Sequence, residues 1–263
     1  MKIQVMMENT AGCEDILTEH GLSLYIETGD HRILFDCGQS GNFAENAKRM
    51  GVDLSRVDLA VLSHGHYDHG GGLISFMEIN PTAPIYVSQY AFEEHWHGTS
   101  RNIGLNKGLQ TSTRLIKTGD FHKLDDGLML YSCNGRPMPY GLDAAGLTVQ
   151  QDGEFVPEDF RHEQYLLVEE NGKKILFSGC SHKGILNIET WFQPDVLIGG
   201  FHLKQLDPAG EDRSRLQQTA ELLQMFPTRY WTCHCTGVPQ YKFLKEIMGP
   251  QLEYLAAGQT LCI

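Results

Sequence analysis

The chain of 263 residues is long enough to bury a sizeable core, as one large domain or two small ones. Its 41% hydrophobic and 21% charged residues describe an ordinary soluble globular protein. A net charge of −12 without a Lys/Arg cluster argues against nucleic acid as a partner, and no apolar run approaches the length that spans a membrane.

In chain order, "KIQVMME" alternates apolar residues and predicts a strand. "LSLYIETGDHRILFDCG" predicts two strands joined by a turn at Thr28-Gly29-Asp30. "NFAENAKRMGV" predicts a helix stopped by Gly51, and "VDLAVLSHGH" a short buried strand ending where histidines begin. "LISFMEIN" predicts a helix closed by Pro81, and "APIYVSQYAFEEHW" a strand followed by a helix. The polar, Gly-rich stretch 98–120 predicts a loop or insertion near a site mouth. "LMLYSCN" predicts a strand, and "GRPMPYGLDAAG" a loop. "EQYLLVEENGKKILFSGC" predicts a hairpin turning at Asn171-Gly172. Then come a helix in "SHKGILNIETWFQ", a strand in "PDVLIGGFHL", an amphipathic helix in "DRSRLQQTAELLQMF", a strand in "TRYWTCHCTG" and a closing helix in "VPQYKFLKEIM". Strands lead and helices follow, about twice over, which predicts an α/β sandwich with two sheets inside and helices outside.

Seven cysteines form an odd set without regular spacing, and Cys233 and Cys235 stand too close for an ordinary disulfide loop. They read as reduced thiols. The N-terminus lacks the apolar core and small-residue cleavage site of a signal peptide. Both readings point to the cytoplasm.

Chemistry concentrates in "LSHGHYDHGGGL". His64 and His66 are two apart after a strand, so their side chains point to one side. Asp68 and His69 follow once the chain turns. Imidazole and carboxylate suit zinc, iron or manganese, and one stretch can supply half the ligands of two adjacent ions. Gly70, Gly71 and Gly72 would let the backbone turn tightly beneath. Three more strand ends carry histidine: "LFSGCSH", "LIGGFH" and "YWTCHC". Most lone histidines ligate nothing, and His20, His31, His95, His97, His122 and His162 are read that way.

"SHGHYDH", the Asp36-Cys37-Gly38 turn, "KKILFSGC" and "CHCTG" together resemble the metallo-β-lactamase-fold superfamily over nearly the whole chain. The resemblance implies one domain, 1–263, with a four-layer αββα sandwich of two mixed sheets and a polar insertion around 98–120. It implies Asp36 as a buttress of the metal loop, and His234 as the last metal ligand. "TEHGLSLYIE", "GCSHKGILNI", "GGFHL" and "HCTG" are further similar to a subgroup known as dihydropterin–ribofuranosylaminobenzene-phosphate synthases. Two departures stand out. Cys180 occupies the place of the superfamily's bridging aspartate, and the glycine-rich histidine motif upstream is missing. A thiolate still ligates zinc or iron. His182 is therefore the expected replacement ligand, with His162 and Cys180 as alternatives. His202 is expected to face substrate or relay protons, and Cys233 and Cys235 to pack in the core. Arg101 and Asn102 are candidates to touch an anionic substrate group.

The leading expectation is a dinuclear hydrolase. One ion, preferably zinc, would use His64, His66 and His182; the other would use Asp68, His69 and His234. A hydroxide generated between them would attack a small phosphoester or cyclic phosphodiester, with Asp68 orienting the water. A synthase-type carbon–nitrogen condensation, an iron-dependent redox reaction and a binding module with structural metals are the alternatives. The last fits poorly, because structural zinc normally closes its shell with four protein ligands. The expected partner is a small-molecule substrate, not nucleic acid or membrane, and self-association into a homo-oligomer stays open.

Overall fold

The computed structural model describes residues 1–263. Its frame is two seven-stranded sheets. Across the first run Thr260–Cys262, Lys2–Met7, Ser23–Glu27, Arg32–Phe35, Leu59–Val61, Ile85–Ser88 and Leu115–Thr118. Across the second run Leu252–Tyr254, Arg229–Thr232, Val196–Gly199, Lys173–Ser178, Tyr165–Glu170, Leu128–Tyr131 and Phe121–Asp125. Both are mixed: each joins antiparallel hairpins to a run of parallel strands.

Alternation assigns the faces. Ile33 and Phe35 point into the core between the sheets, while Leu34 points to the outer helices. Ile175 and Phe177 face that same inner core, and Leu176 faces outward. The outer faces are covered by the helices Asn42–Arg49 and Leu73–Ile79 on one side. On the other lie Ile185–Phe192, Arg213–Gln224 and Val238–Met248. The result is the αββα sandwich. The hairpin at Asn171-Gly172 is built as expected, with both residues at positive φ (53° and 73°) and Glu170 opposite Lys173.

Three segments differ from the sequence reading. After Ile85–Ser88 there is no helix: the Ala91 amide donates to the Ser88 carbonyl (3.0 Å) and the Glu93 amide to Tyr90 (3.1 Å), closing tight turns. The chain then enters a strand, Glu94–His97, which pairs with Leu147–Gln151. That pairing outweighs the local helical pattern. Residues 98–120 are not one loop, since Arg101–Asn102 pairs with Glu94–His97, and Leu115–Thr118 is an edge strand of the first sheet. A third, four-stranded sheet thus forms from Glu154–Pro157, Leu147–Gln151, Glu94–His97 and Arg101–Asn102. The triple glycine also acts otherwise than expected. Gly71 and Gly72 have ordinary helical φ (−63° and −79°), and a Cβ on either would strike the backbone of Gln39 or of Cys37 and Ser40. Close approach, not a tight turn, requires glycine there. No helix is long and apolar enough to cross a membrane.

Candidate metal centre

The parallel strands end on one rim and deliver the functional side chains there. Leu59–Val61 leads to His64 and His66, Lys173–Ser178 to Cys180 and His182, Val196–Gly199 to His202, and Arg229–Thr232 to His234. Asp68 and His69 lie on the one-turn helix Tyr67–Gly70. The Tyr67 amide donates to the Ile103 carbonyl (2.9 Å), which ties this turn to the third sheet.

Hydrogen bonds assign the ring proton of His64, His69 and His234. His69 Nδ1–H donates to Asp36 Oδ2 (2.6 Å), leaving a lone pair on Nε2. The same Asp36 accepts from the Ser63 amide and the Ser63 hydroxyl, each at 2.7 Å. Because the Ser63 hydroxyl hydrogen is spent on Asp36, its oxygen accepts from His64 Nδ1–H (2.8 Å), so His64 also presents Nε2 as a lone pair. His234 Nδ1–H donates to Asn9 Oδ1 (2.7 Å) and again leaves Nε2 free. His69 Nε2 and His234 Nε2 then face each other at 3.2 Å, and His64 Nε2 stands 3.3 Å from His182 Nε2. Asp68 Oδ2 lies 3.2 Å from His234 Nε2, and Cys180 Sγ 3.2 Å from His69 Nε2.

The facing lone pairs of His69 and His234 repel unless a positive charge lies between them. A tetrahedral ion with bonds of about 2.0–2.1 Å spaces its nitrogen ligands roughly 3.3–3.4 Å apart. The donor set fits metal at His64, His66 and His182, whose ligand atoms lie within 4.8 Å, and at Asp68 and His234, which group with His20 and which His69 Nε2 approaches at 3.9 Å and 3.2 Å. Cys180 falls between them, grouped with both His64 and His69.

Electrostatics agree. Burial, reinforced by neighbouring histidines, holds His64, His66 and His182 well below the usual histidine pKa, so they are neutral and able to ligate. Burial works to raise the Asp68 carboxyl, but His69 and His234 outweigh it and hold Asp68 well below the carboxylate range. Burial lowers His234, yet its bond to Asp68 wins and raises it. Burial and Cys235 push the Cys180 thiol well up, so ligation through sulfur would release a proton.

His182 does not sit in a capping turn. The Ser181 hydroxyl bonds to the Ser178 hydroxyl (2.8 Å), and the following helix starts at Gly184 without a side-chain cap. Instead Glu163 accepts from the His182 amide (2.6 Å), and the ring stacks on Phe160 at 4.6 Å. His202 faces His182 with ring centroids 4.2 Å apart, on the cavity wall. Cys233 packs in the inter-sheet core as expected, but Cys235 lines the metal cavity. Asn102 turns away: its amide donates to Glu94 (2.9 Å) and its oxygen accepts from the Gly104 amide (2.9 Å). Arg101 remains at the cavity, donating to the Tyr67 hydroxyl (2.6 Å).

His20 and His95, read from sequence as bystanders, lie inside the site with His162, the alternative ligand. His20 Nδ1 accepts from Asn9 Nδ2 (3.2 Å), so its Nε2–H donates to Asp68 Oδ2 (3.2 Å). Asn9 thus sets His234 as a lone-pair donor and His20 as a proton donor. His95 Nδ1–H donates to Glu158 (2.8 Å), and His162 Nδ1 accepts from the Gly65 amide (2.8 Å). His162 then carries its proton on Nε2 and offers no lone pair there. With His66 these residues form a buried cluster behind the metal loop, and the Nε2 atoms of His66, His95 and His162 have no partner. Only tertiary contact brings these residues together, so no local spacing could have marked them.

The family model described as metallo-beta-lactamase superfamily matches residues 18–223. A 7,8-dihydropterin-6-methyl-4-(beta-D-ribofuranosyl)-aminobenzene-5'-phosphate synthase of Methanocaldococcus jannaschii is 28% identical over 294 aligned positions, covering 99% of this chain and 96% of that protein. Among solved structures, Tm1679, described as a metal-dependent hydrolase of the beta-lactamase superfamily, superposes with a TM-score of 0.85 at 24% identity, covering 100% of this chain and 99% of the other. Zinc-bound PqqB from Methylobacterium extorquens has the same fold at a TM-score of 0.60 and 11% identity, with full coverage of both chains (100% each). The four-layer fold, the histidine-lined rim and the match over 18–223 agree, and the chain belongs to the metallo-β-lactamase superfamily.

Proposed function

We propose that this protein is a metal-dependent hydrolase of a small phosphoester, with zinc as the preferred ion and iron or manganese as alternatives. The observation that carries the reading is the pair of His69 and His234 lone pairs, each fixed by a bonded Nδ1, facing at 3.2 Å beside an open cavity. His64, His66 and His182 would hold one ion and Asp68, His69 and His234 a second, with Cys180 between them. Bound ions would supply Lewis acidity toward a phosphoryl oxygen and acidify water.

The chain's own residues do the rest. Asp36, Ser63 and Asn9 keep the ligating nitrogens deprotonated and aimed. Asp68 is held ionised and is a weak base, so it suits orienting water through its carboxylate oxygens. His202 is lowered to about 4, by burial and then by His234, so it meets substrate as a neutral ring. The acidic chain offers no track for a polymer, which favours a small substrate. Free cysteines at all seven positions suit the reducing cytoplasm.

The full-length likeness to the synthase supports a second reading, in which the same ions activate a diphosphate leaving group. Elemental analysis of protein purified without added metal, with a phosphoesterase panel, tests the first. Turnover that disappears on chelation and returns with zinc supports it. Unchanged turnover after complete metal removal sinks it, and release of diphosphate only in the presence of an arylamine transfers the case to the second.

A further inference from the structure

We propose that the metal cleft is bipartite and takes a phosphoester of an apolar organic group, with the phosphate gripped by Arg101 and Lys204 and the organic body seated in a separate chamber beyond His202. The proposal rests on the metal-hydrolase reading and specifies its substrate.

Two cavities meet at the metal-binding side chains. One, of about 190 Å³, is lined by Asp68 and His234 together with Tyr67, Arg101 and Lys204. Its outer mouth is again lined by Arg101 and Lys204, with Asn9, Glu19, His20 and Tyr67. Neither cation forms an ion pair. Arg101 donates only to the neutral Tyr67 hydroxyl, whose ring its guanidinium also covers at 5.4 Å, and Lys204 Nζ has no protein partner. The Glu19 carboxylate at the mouth is already occupied, accepting from the Gln39 and Ser40 amides, the Ser40 hydroxyl and Asn42. In a chain with 33 acidic and 21 basic residues, two unpaired cations beside a metal cleft provide a landing point for an anion.

They come from different elements that line the same cavity, and both are anchored through the backbone. Arg101 belongs to the small sheet, opposite His97. The Lys204 amide donates to the Cys235 carbonyl (3.1 Å), and its carbonyl accepts from Gln240 Nε2 (3.1 Å), beside the His234 turn. A phosphate bound by both would share one cavity with the metal donors Asp68 and His234. Arg suits two oxygens at once, and Lys adds a point charge.

The second chamber, of about 270 Å³, lies across the His182–His202 wall, which both cavities share together with Gln205. This is near the lower end of small-molecule pockets. Ile185, Phe201, Leu203, Leu206 and Leu222 form the apolar part of a mixed lining. Part of its polar lining is committed: Asn187 bonds to Tyr140, Gly141 and Lys183, and Arg215 pairs with Asp143 at 2.8 Å. Gln205 alone stands at the junction with a free amide. An apolar body here places its phosphoester bond over the metal donors.

The test uses zinc-loaded full-length protein and calorimetric binding of inorganic phosphate, methylphosphonate and phenylphosphonate, none of which requires turnover. The Arg101→Ala/Lys204→Ala variant should bind all three at least tenfold more weakly with its zinc content unchanged. Leu222→Trp, on the partly exposed face of a helix, should weaken phenylphosphonate selectively. Wild-type protein should prefer phenylphosphonate over methylphosphonate at least tenfold. Phosphate affinity that survives the double substitution, or a phenyl group that adds no affinity, overturns the proposal. Anion binding that behaves as expected in a protein without phosphoesterase activity would leave this site standing and remove the hydrolase reading instead.

Discussion

A single asparagine organises much of the candidate metal centre. Asn9 accepts from His234 and donates to His20, so it sets the proton on both rings that touch Asp68. Asn9→Ala should lower metal affinity by roughly 10–100-fold, the range for lost partners of ligating histidines, as read by competition with a chromogenic chelator. An unchanged affinity would show that the rings are held by packing alone. His182→Ala should weaken binding at least about tenfold on the same scale. pH acts through the same rings. His64, His66 and His182 are held below 6.5 when folded, so the unfolded chain binds more protons just below that value. Stability of the metal-free protein is therefore lost as pH falls from about 6.5 toward their folded values. His234, raised above 6.5, has the opposite sign and loses its contribution as pH rises through its folded value. His20, His162 and His202 are lowered as well, so six rings stand against one, metal-free melting temperature should fall between pH 7 and pH 5, and a rise would contradict the assignment. The motif around His64 was legible in sequence because strand alternation acts locally. Asn9, His20, His95 and Glu158 were not, because tertiary packing alone gives them their partners.

Among the elements, strand ends carry both the fold and the site. Ser178-Gly179-Cys180 lies directly against the metal loop, and a Cβ on Gly179 would collide with Ser63 Oγ and approach His64 Nδ1 at 3.1 Å. Gly179→Ala should displace Ser63 and release metal while the sheets stay intact, checked by elemental analysis beside circular dichroism. Full metal content in that variant would mean that the loop gives way freely. Deeper in the same strand, Phe177 is fully buried between the sheets, so Phe177→Ala should destabilise by about 3–5 kcal/mol in denaturant unfolding. The main strands were readable because each alternates apolar residues between two cores, as Ile33, Leu34 and Phe35 do. The small sheet was not. Glu94–His97 has a helix-like pattern, and only pairing with Leu147–Gln151, some fifty residues on, draws it out as a strand.

At the scale of the molecule, two stacked sheets bring rims distant in sequence to one cleft. Residues 8 and 9 meet residue 234 there, with the His234 amide donating to Glu8 at 2.6 Å. The sandwich was legible because the order of strands and helices dictates its layers. The chemistry of the walls was not, since Arg101 and Lys204 become neighbours of the site only through that assembly. The central claim is that the facing imidazoles are two sets of metal ligands. It is tested most directly by counting ions in protein purified without added metal, for wild type, His64→Ala/His66→Ala and His69→Ala/His234→Ala. Two divalent ions per chain in wild type, with each double variant losing its own ion and keeping a folded far-ultraviolet spectrum, is the predicted result. Wild-type protein that stays metal-free when zinc is supplied, or variants that keep both ions, would contradict it.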